Sequence, residues 1–326
     1  MIEPRPIVVI SNIIIDDIVL AGGARRSSVL GGAATYSAIG AASWWPQVAI
    51  VAGVGGDLDE LTGGRLARLG LRDEGLLIRD PHTIRNHLVY LADGERTETP
   101  MLGIEHFDKM QTTPDDVPDS LLPAAGTYFF QDVSPDFWRS VARRRAQLGA
   151  TLWEWQAGGA TPSVGDAAPS TGGVTPAAWP SVRALLPTMD MFSLTLSEAR
   201  DLLGTQEPQD IVSKLLIAGA NIVVLRMGAA GAVIADHRHQ LRLRPPASRV
   251  VDVTGAGNAF CGGFLAGWCG TQDLEWAARA AAAAAAQTML DYGPPDQIDH
   301  ESLRALAGAT TITLAATTIT PVDVIT

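Results

Sequence analysis

The chain has 326 residues, 47% of them hydrophobic, which is enough for one large α/β domain with a sizeable core. Its formal charge of −11 at pH 7 argues against binding nucleic acid by phosphate neutralisation and serves solubility. Two cysteines, Cys261 and Cys269, with no CxxC pair or His/Cys cluster beside them, provide neither a disulfide framework nor a structural zinc site.

In chain order, residues 1–6 carry no signal-peptide pattern and run into an apolar strand at 7–10. With the low cysteine count this predicts a cytoplasmic location. Further strands are expected at 48–52, 127–130, 151–155, 191–194 and 222–226. All are apolar on both faces, as in a parallel sheet covered by helices. Helical patterns fall between them at 34–42, 61–69, 137–148, 197–203 and 209–218. The alternation predicts a single doubly wound α/β domain over 1–326, with a mostly parallel sheet flanked by helices.

Residues 85–97 break this rhythm, with strand alternation around Asp93-Gly94, a strong hairpin signal. Together with the region after the first strand, they predict a small antiparallel β lid from about 12–30 and 84–104, able to cover a pocket and exclude water. An exposed small sheet of this kind invites a homodimer. Residues 156–180 are rich in Gly, Ala, Pro, Ser and Thr and read as a flexible insertion. Alanines 280–286 form a helix too short and too weakly hydrophobic to span a bilayer, so no membrane partner is expected. The chain ends in two Thr-Thr-Ile-Thr stretches, at 310–313 and 317–320, readable as an edge strand or a tail.

The most informative segment is Asp252-Val253-Thr254-Gly255-Ala256-Gly257-Asn258-Ala259-Phe260. An apolar strand ending near Asp252 would pass through two glycines into a helix. That geometry gathers backbone N–H groups where the helix dipole favours an anion. Two glycines in a strand–helix turn also serve tight packing, so the pattern gains meaning only from its surroundings.

With Cys261-Gly262-Gly263-Phe264 added, the segment closely resembles the signature of the pfkB, or ribokinase-like, carbohydrate kinases: D-T-x-G-A-G-D, then a small residue, F and G-F. Other likenesses follow in family order. They are Gly31-Gly32, Val54-Gly55-Gly56-Asp57, Thr195-Leu196-Ser197-Glu198 for N-x-x-E, and Leu225 to Gly231 for the nucleotide loop. The resemblance implies the ribokinase-like fold and ATP-dependent phosphorylation of a hydroxyl on a sugar-like or nucleoside-like substrate, with Mg2+ as cofactor. It implies an anion hole at Gly255, Ala256 and Gly257, and substrate contacts at Asp16, Gly31, Gly32 and Tyr36. Nucleotide contacts are implied at Thr195, Glu198, Arg226, Gly228, Gly231 and Thr254, with no direct metal ligand and Glu198 reaching magnesium through water.

The departures lie near the chemistry. Asn258 stands where the family carries its catalytic aspartate, and an amide is no general base. Thr195 replaces an asparagine, Tyr36 stands where sugar kinases usually carry asparagine, and Trp153-Glu154-Trp155 stands where D-P-N is frequent. The chain resembles a divergent branch that carries the asparagine with a W-E-type strand. Asp252 is a conceivable replacement base. A weakened kinase and an inactive nucleotide- or sugar-binding pseudokinase with a regulatory role are both compatible with these residues. For single residues the bland readings are specific: Glu198 as a helix-terminal acid, Arg226 as a salt-bridge partner, and Trp153 and Trp155 as sheet packing.

Overall fold

The computed structural model describes residues 4–91, 96–156 and 176–317. The Asp93-Gly94 turn, most of the 156–180 insertion and most of the second Thr-Thr-Ile-Thr stretch lie outside the described residues. Residues 176–180 are already helical: a 3-10 turn at Pro176–Ala178 leads into the helix Trp179–Leu185.

Fifteen strands are described, in chain order β1 (Ile7–Ile10), β2 (Ile14–Val19), β3 (Arg25–Gly31), β4 (Val48–Gly55), β5 (Leu71–Arg72), β6 (Leu76–Asp80), β7 (Arg85–Tyr90), β8 (Arg96–Pro100), β9 (Gly126–Gln131), β10 (Ala150–Trp155), β11 (Met191–Thr195), β12 (Ile222–Arg226), β13 (Ala232–Ala235), β14 (His239–Arg244) and β15 (Thr311–Ala316). Eleven form the main sheet, ordered β15-β14-β13-β12-β11-β10-β9-β1-β4-β5, with β6 also on β4. Its members from β12 to β6 run parallel, and β13, β14 and β15 close one side as an antiparallel meander. The first Thr-Thr-Ile-Thr stretch thus enters edge strand β15.

The expected parallel strands are all present because each is a short apolar run that buries both faces. In β1, Ile7 and Val9 join one core and Val8 and Ile10 the other. The first core is covered by the helices Ala33–Ala42, Ala256–Thr271 and Leu274–Thr288. These helices pack through small residues; a Cβ on Gly263 would stand 2.9 Å from that of Ala284. That close approach is the use of the alanine run. The second core holds Trp153 and Trp155, at 0% and 1% exposure, with Trp153 centred 4.4 Å from the Trp138 ring. The tryptophans are sheet packing and line no cleft.

The helix expected at 61–69 is two pieces, Leu58–Thr62 and Arg65–Arg68. Gly63 and Gly64 between them both adopt left-handed φ, 58° and 73°, which ends one helix and starts another. No strand precedes residue 252 either. Val250 is exposed, and the Val251 and Asp252 N–H groups donate to Met289 O at 2.8 and 3.4 Å.

The small sheet is ordered β3-β2-β7-β8. It consists of two antiparallel hairpins, β2–β3 and β7–β8, joined by a parallel β2–β7 pairing. No helix among the described residues is long and apolar enough to cross a membrane.

Candidate active site

The helix Ala256–Thr271 starts at the end of the main sheet where the parallel strands terminate, the usual ligand position in open α/β folds. Gly255 is its N-cap, with φ 73°, and a Cβ there would run into the Tyr36 ring. A Cβ on Gly257 would run into the Arg226 guanidinium. Close packing thus accounts for both glycines, and at Gly255 the left-handed backbone adds to it. The Ala256 N–H donates to Val253 O at 3.2 Å. Among the described residues the N–H groups of Gly255, Gly257 and Asn258 make no backbone hydrogen bond. The donor set open to an anion thus differs from the expected 255–257: Ala256 is occupied and Asn258 takes its place.

A buried polar network underlies this corner. The Arg226 guanidinium pairs with Glu154 at 2.8 Å, with side chains 11% and 3% exposed. The Tyr128 hydroxyl donates to Glu154 Oε2 at 2.6 Å. Asn258 Nδ2 lies 3.2 Å from both the Tyr128 oxygen and Glu154 Oε2. Cys261, one helical turn on, donates to Ser193 Oγ at 3.2 Å. Burial, and then the Glu154 charge, push the Tyr128 hydroxyl and the Cys261 thiol well above their ordinary ranges, so both stay protonated. Burial opposes the Arg226 charge, but Glu154 outweighs it and holds the guanidinium protonated. Arg226 is accordingly a buried ion-pair partner.

The sequence reading did not single out Glu154. The available signal was a carboxylate between two tryptophans in a mostly apolar strand, since such a group is seldom fully buried unless paired. Asp252 is likewise engaged: its Oδ1 takes the Thr254 N–H at 3.0 Å and the Thr254 hydroxyl at 2.8 Å.

At the end of β11, Thr195 and Glu198 cap the helix Leu196–Leu203. The Thr195 N–H donates to Glu198 Oε2 at 2.7 Å, and Thr195 Oγ1 accepts the Glu198 N–H at 3.2 Å. Burial raises the Glu198 carboxyl above its usual range, partly offset by the Arg226 charge. Gly228 and Gly231 bracket the turn from β12 to β13. Gly231 has φ 92° and its Cα lies against the Leu243 carbonyl, whereas a Cβ on Gly228 would meet nothing within 4 Å.

The described residues hold no group of three acids, histidines or cysteines suited to a metal ion. The carboxylates around this corner are all engaged: Glu154 with Arg226, Asp252 with Thr254, and Glu198 through Oε2 with the helix cap. That fits magnesium held mainly by phosphates and water rather than by a protein cage.

Facing the same corner is the inner surface of the small sheet. Asp16 on β2 is 6% exposed and sits against Gly31, where a Cβ would strike its carboxylate. Gly32, with φ 86°, caps the helix Ala33–Ala42, and a Cβ there would lie 2.7 Å from the Ile14 nitrogen. Tyr36 is 3% exposed and packed on Gly255, so it shapes the floor rather than projecting into the cleft. Asn86, fully buried and in register with Asp16, donates Nδ2 to Glu98. Its buried Oδ1 has no hydrogen-bond partner among the described residues. Asn86 and Glu98 were also missed from sequence; their signal is two polar residues at inward positions of a hairpin. Asp57 of the V-G-x-D stretch takes the Thr83 N–H and hydroxyl at 2.7 and 2.8 Å, which is a structural clamp on the chain entering β7.

The sequence profile of pfkB family carbohydrate kinases matches residues 7–300. An ATP-dependent 6-phosphofructokinase of Thermoanaerobacterium thermosaccharolyticum is 33% identical over 86 residues, 26% of this chain and 27% of that protein. The matched stretch thus spans about a quarter of the length of that relative. A cytidine kinase of Thermococcus kodakarensis is 25% identical over 291 residues, 88% of this chain and 97% of its own. Among solved structures, aminoimidazole riboside kinase from Salmonella enterica, complexed with aminoimidazole riboside and an ATP analog, superposes with a TM-score of 0.71 at 18% identity, covering 93% of this chain and 99% of its own.

Proposed function

The chain belongs to the pfkB family of carbohydrate kinases, and on that premise we propose that it transfers the γ-phosphoryl group of ATP to a hydroxyl of a sugar-like or nucleoside-like small molecule. The observation that carries this reading is the start of the helix at Gly255, where the amides of Gly255, Gly257 and Asn258 make no backbone hydrogen bond at the C-terminal end of the parallel sheet. Such donors suit the equatorial oxygens of a phosphoryl group in flight.

In this reading the amides stabilise developing charge. Asn258 orients the acceptor hydroxyl, and Asp16, Asn86 and Glu98 grip the substrate from the small sheet. Thr254 and the turn from Gly228 to Gly231 border the nucleotide. Magnesium would supply charge neutralisation to the ATP phosphates, and Glu198 would hold it through water. The acceptor oxygen forms the new P–O bond as the bond to ADP breaks. With an amide at 258, the hydroxyl proton leaves with the transferred phosphoryl group and passes to water. General-base catalysis is worth about 10²–10⁴-fold, and a loose transition state tolerates its loss, so the expected enzyme is slow rather than dead.

The small sheet acts as a lid. A homodimer paired through its edge strands β3 and β8 belongs to the same reading. The unpaired thiols of Cys261 and Cys269 support a reducing, cytoplasmic setting. A second reading, a nucleotide- or sugar-binding pseudokinase, is favoured by one observation: Asn258 donates to the Glu154 carboxylate and is unable to act as a base.

The deciding experiment is ATP consumption over a panel of hexoses, hexose phosphates and nucleosides, cytidine included, beside a thermal-shift titration with MgATP. Acceptor-dependent ADP release supports the kinase. A thermal shift without turnover on any acceptor supports the pseudokinase, and neither signal removes both readings.

A further inference from the structure

Resting on the kinase reading, we propose that Glu154 is a positioning residue: its carboxylate turns the Asn258 amide so that Nδ2 faces inward and Oδ1 faces the acceptor hydroxyl, and asparagine at 258 is the obligate partner of a carboxylate at 154.

The argument is one of donors and acceptors. Glu154, paired with Arg226 at 2.8 Å, is a carboxylate and only accepts. Tyr128, at 2.6 Å, commits its single hydrogen to Glu154 Oε2. Both oxygens that lie 3.2 Å from the Asn258 side chain therefore have only lone pairs to offer. An amide nitrogen has two hydrogens, one for each. A carboxylate at 258 would bring a third acceptor to two acceptors with no hydrogen among them. The amide is thereby oriented, and its carbonyl oxygen is left for the cleft.

The charge count agrees. The groups packed around this point are Arg226 from β12, Tyr128 from β9, Cys261 from the same helix as Asn258, and Glu198 from the helix Leu196–Leu203. Tyr128 and Cys261 are neutral. Glu198 is already pushed toward its protonated form by burial. One guanidinium thus faces the Glu154 carboxylate, and that carboxylate sits on β10 rather than on the helix. A second one 3.2 Å away would have to share a proton with it. The carboxylate expected at 258 has in effect crossed to the strand, and the residue it left has become its donor.

The test compares the native chain, N258D, E154Q and N258D/E154Q, the last restoring one carboxylate beside Arg226. Melting temperature is followed from pH 5 to pH 8.5, and kcat and KM are measured with MgATP and the acceptor the panel selects. N258D is expected to melt below the native chain, by a margin that grows as pH rises and its forced proton is lost. E154Q is expected to lose up to about 100-fold in kcat, with KM for ATP little changed. The double variant is expected to recover both melting temperature and kcat above the worse single variant. An N258D protein as stable as native at pH 8.5 overturns the proposal, as does a double variant whose losses merely add. Should the melting pattern appear while no protein turns over ATP, the 154–258 pairing stands and the kinase reading alone falls.

Discussion

The Tyr90 hydroxyl lies 3.1 Å from Asp252 Oδ1, and through this contact the small sheet is joined to the loop that leads into the helix at Gly255. The same hydroxyl is 2.9 Å from Thr254 Oγ1, and the Tyr90 ring meets Tyr292 edge-on with centroids 6.0 Å apart. Arg26 of β3 lies over the Tyr292 ring, 4.8 Å from its centroid. Ile15 and Leu30 root the sheet in the first core, and the Tyr90 hydroxyl, the aromatic stack and an Arg26–Asp291 ion pair at 3.5 Å hold it against two loops of the main body, contacts that the proposed lid would loosen on opening. Replacing Tyr90 with Phe keeps the ring contact and deletes the hydroxyl, at a cost of about 0.5–1.5 kcal/mol to the closed form. Steady-state kinetics are expected to show KM for the acceptor rising by about three- to tenfold, with a smaller fall in kcat. Unchanged KM for both substrates would remove Tyr90 from closure.

Gly255→Ala and Gly228→Ala separate crowding from backbone strain. Both glycines have positive φ, 73° and 57°. Left-handed backbone alone costs an L-residue roughly 1–2 kcal/mol. A Cβ at 255 also meets the Tyr36 ring, whereas one at 228 meets nothing within 4 Å. Turnover and melting temperature are both expected to collapse in G255A, while G228A loses only a few degrees. Combining G255A with Tyr36→Ala should return part of the lost stability, because the obstruction is one ring.

The parallel strands were legible because a short run apolar on both faces has few other homes. The glycine corner was legible because Gly255 and Gly257 fall within one short stretch, with only Ala256 between them. The arrangement beneath it was not: Tyr128, Glu154, Arg226 and Asn258 come from three strands and a helix, and nothing local in sequence joins them. The pairing of Arg226 was hidden for this reason, since its partner is 72 positions away on another strand (226 minus 154). The strand expected before Asp252 failed differently. Val250 and Val251 have strand-forming side chains, but no neighbouring strand is there to pair with them.

Glu154→Ala should be far more damaging than its single position in the chain suggests. It leaves the Arg226 guanidinium, 11% exposed, without its carboxylate, and truncating one half of a buried pair typically costs 3–5 kcal/mol, or roughly that here. Chemical denaturation of E154A beside the double variant Glu154→Ala/Arg226→Met measures this. The double variant is expected to be the more stable of the two, because it removes the stranded charge.

Both thiols should be inert in the folded protein. Burial pushes Cys261 well above its ordinary range and Cys269 up to about 12. The thiolate is the reactive species, so at pH 8 both are almost wholly protonated. Titration with an aromatic disulfide reagent is expected to label neither cysteine on the scale of minutes, and two equivalents per chain once guanidinium is added. Rapid labelling of one equivalent without denaturant would contradict the raised thiol of Cys269, the half-buried one of the two.

Glu198 gives the folded protein a definite pH dependence. Burial raises its carboxyl above the unfolded value of 4.5. The folded state therefore binds this proton more tightly than the unfolded state does, and stability from this group is fully present below pH 4.5 and lost as pH rises through the folded value. Glu198→Gln keeps the capping box, since glutamine also reaches back to the Thr195 N–H, but removes the titration. Urea denaturation at pH 4.5, 6 and 8 is expected to give a shallower decline for E198Q than for the native chain. In the same variant, if Glu198 orders the hydrated magnesium, the Mg2+ concentration for half-maximal turnover rises while the melting temperature at pH 8 holds or increases. A stable variant with unchanged magnesium dependence would leave Glu198 as the helix cap alone.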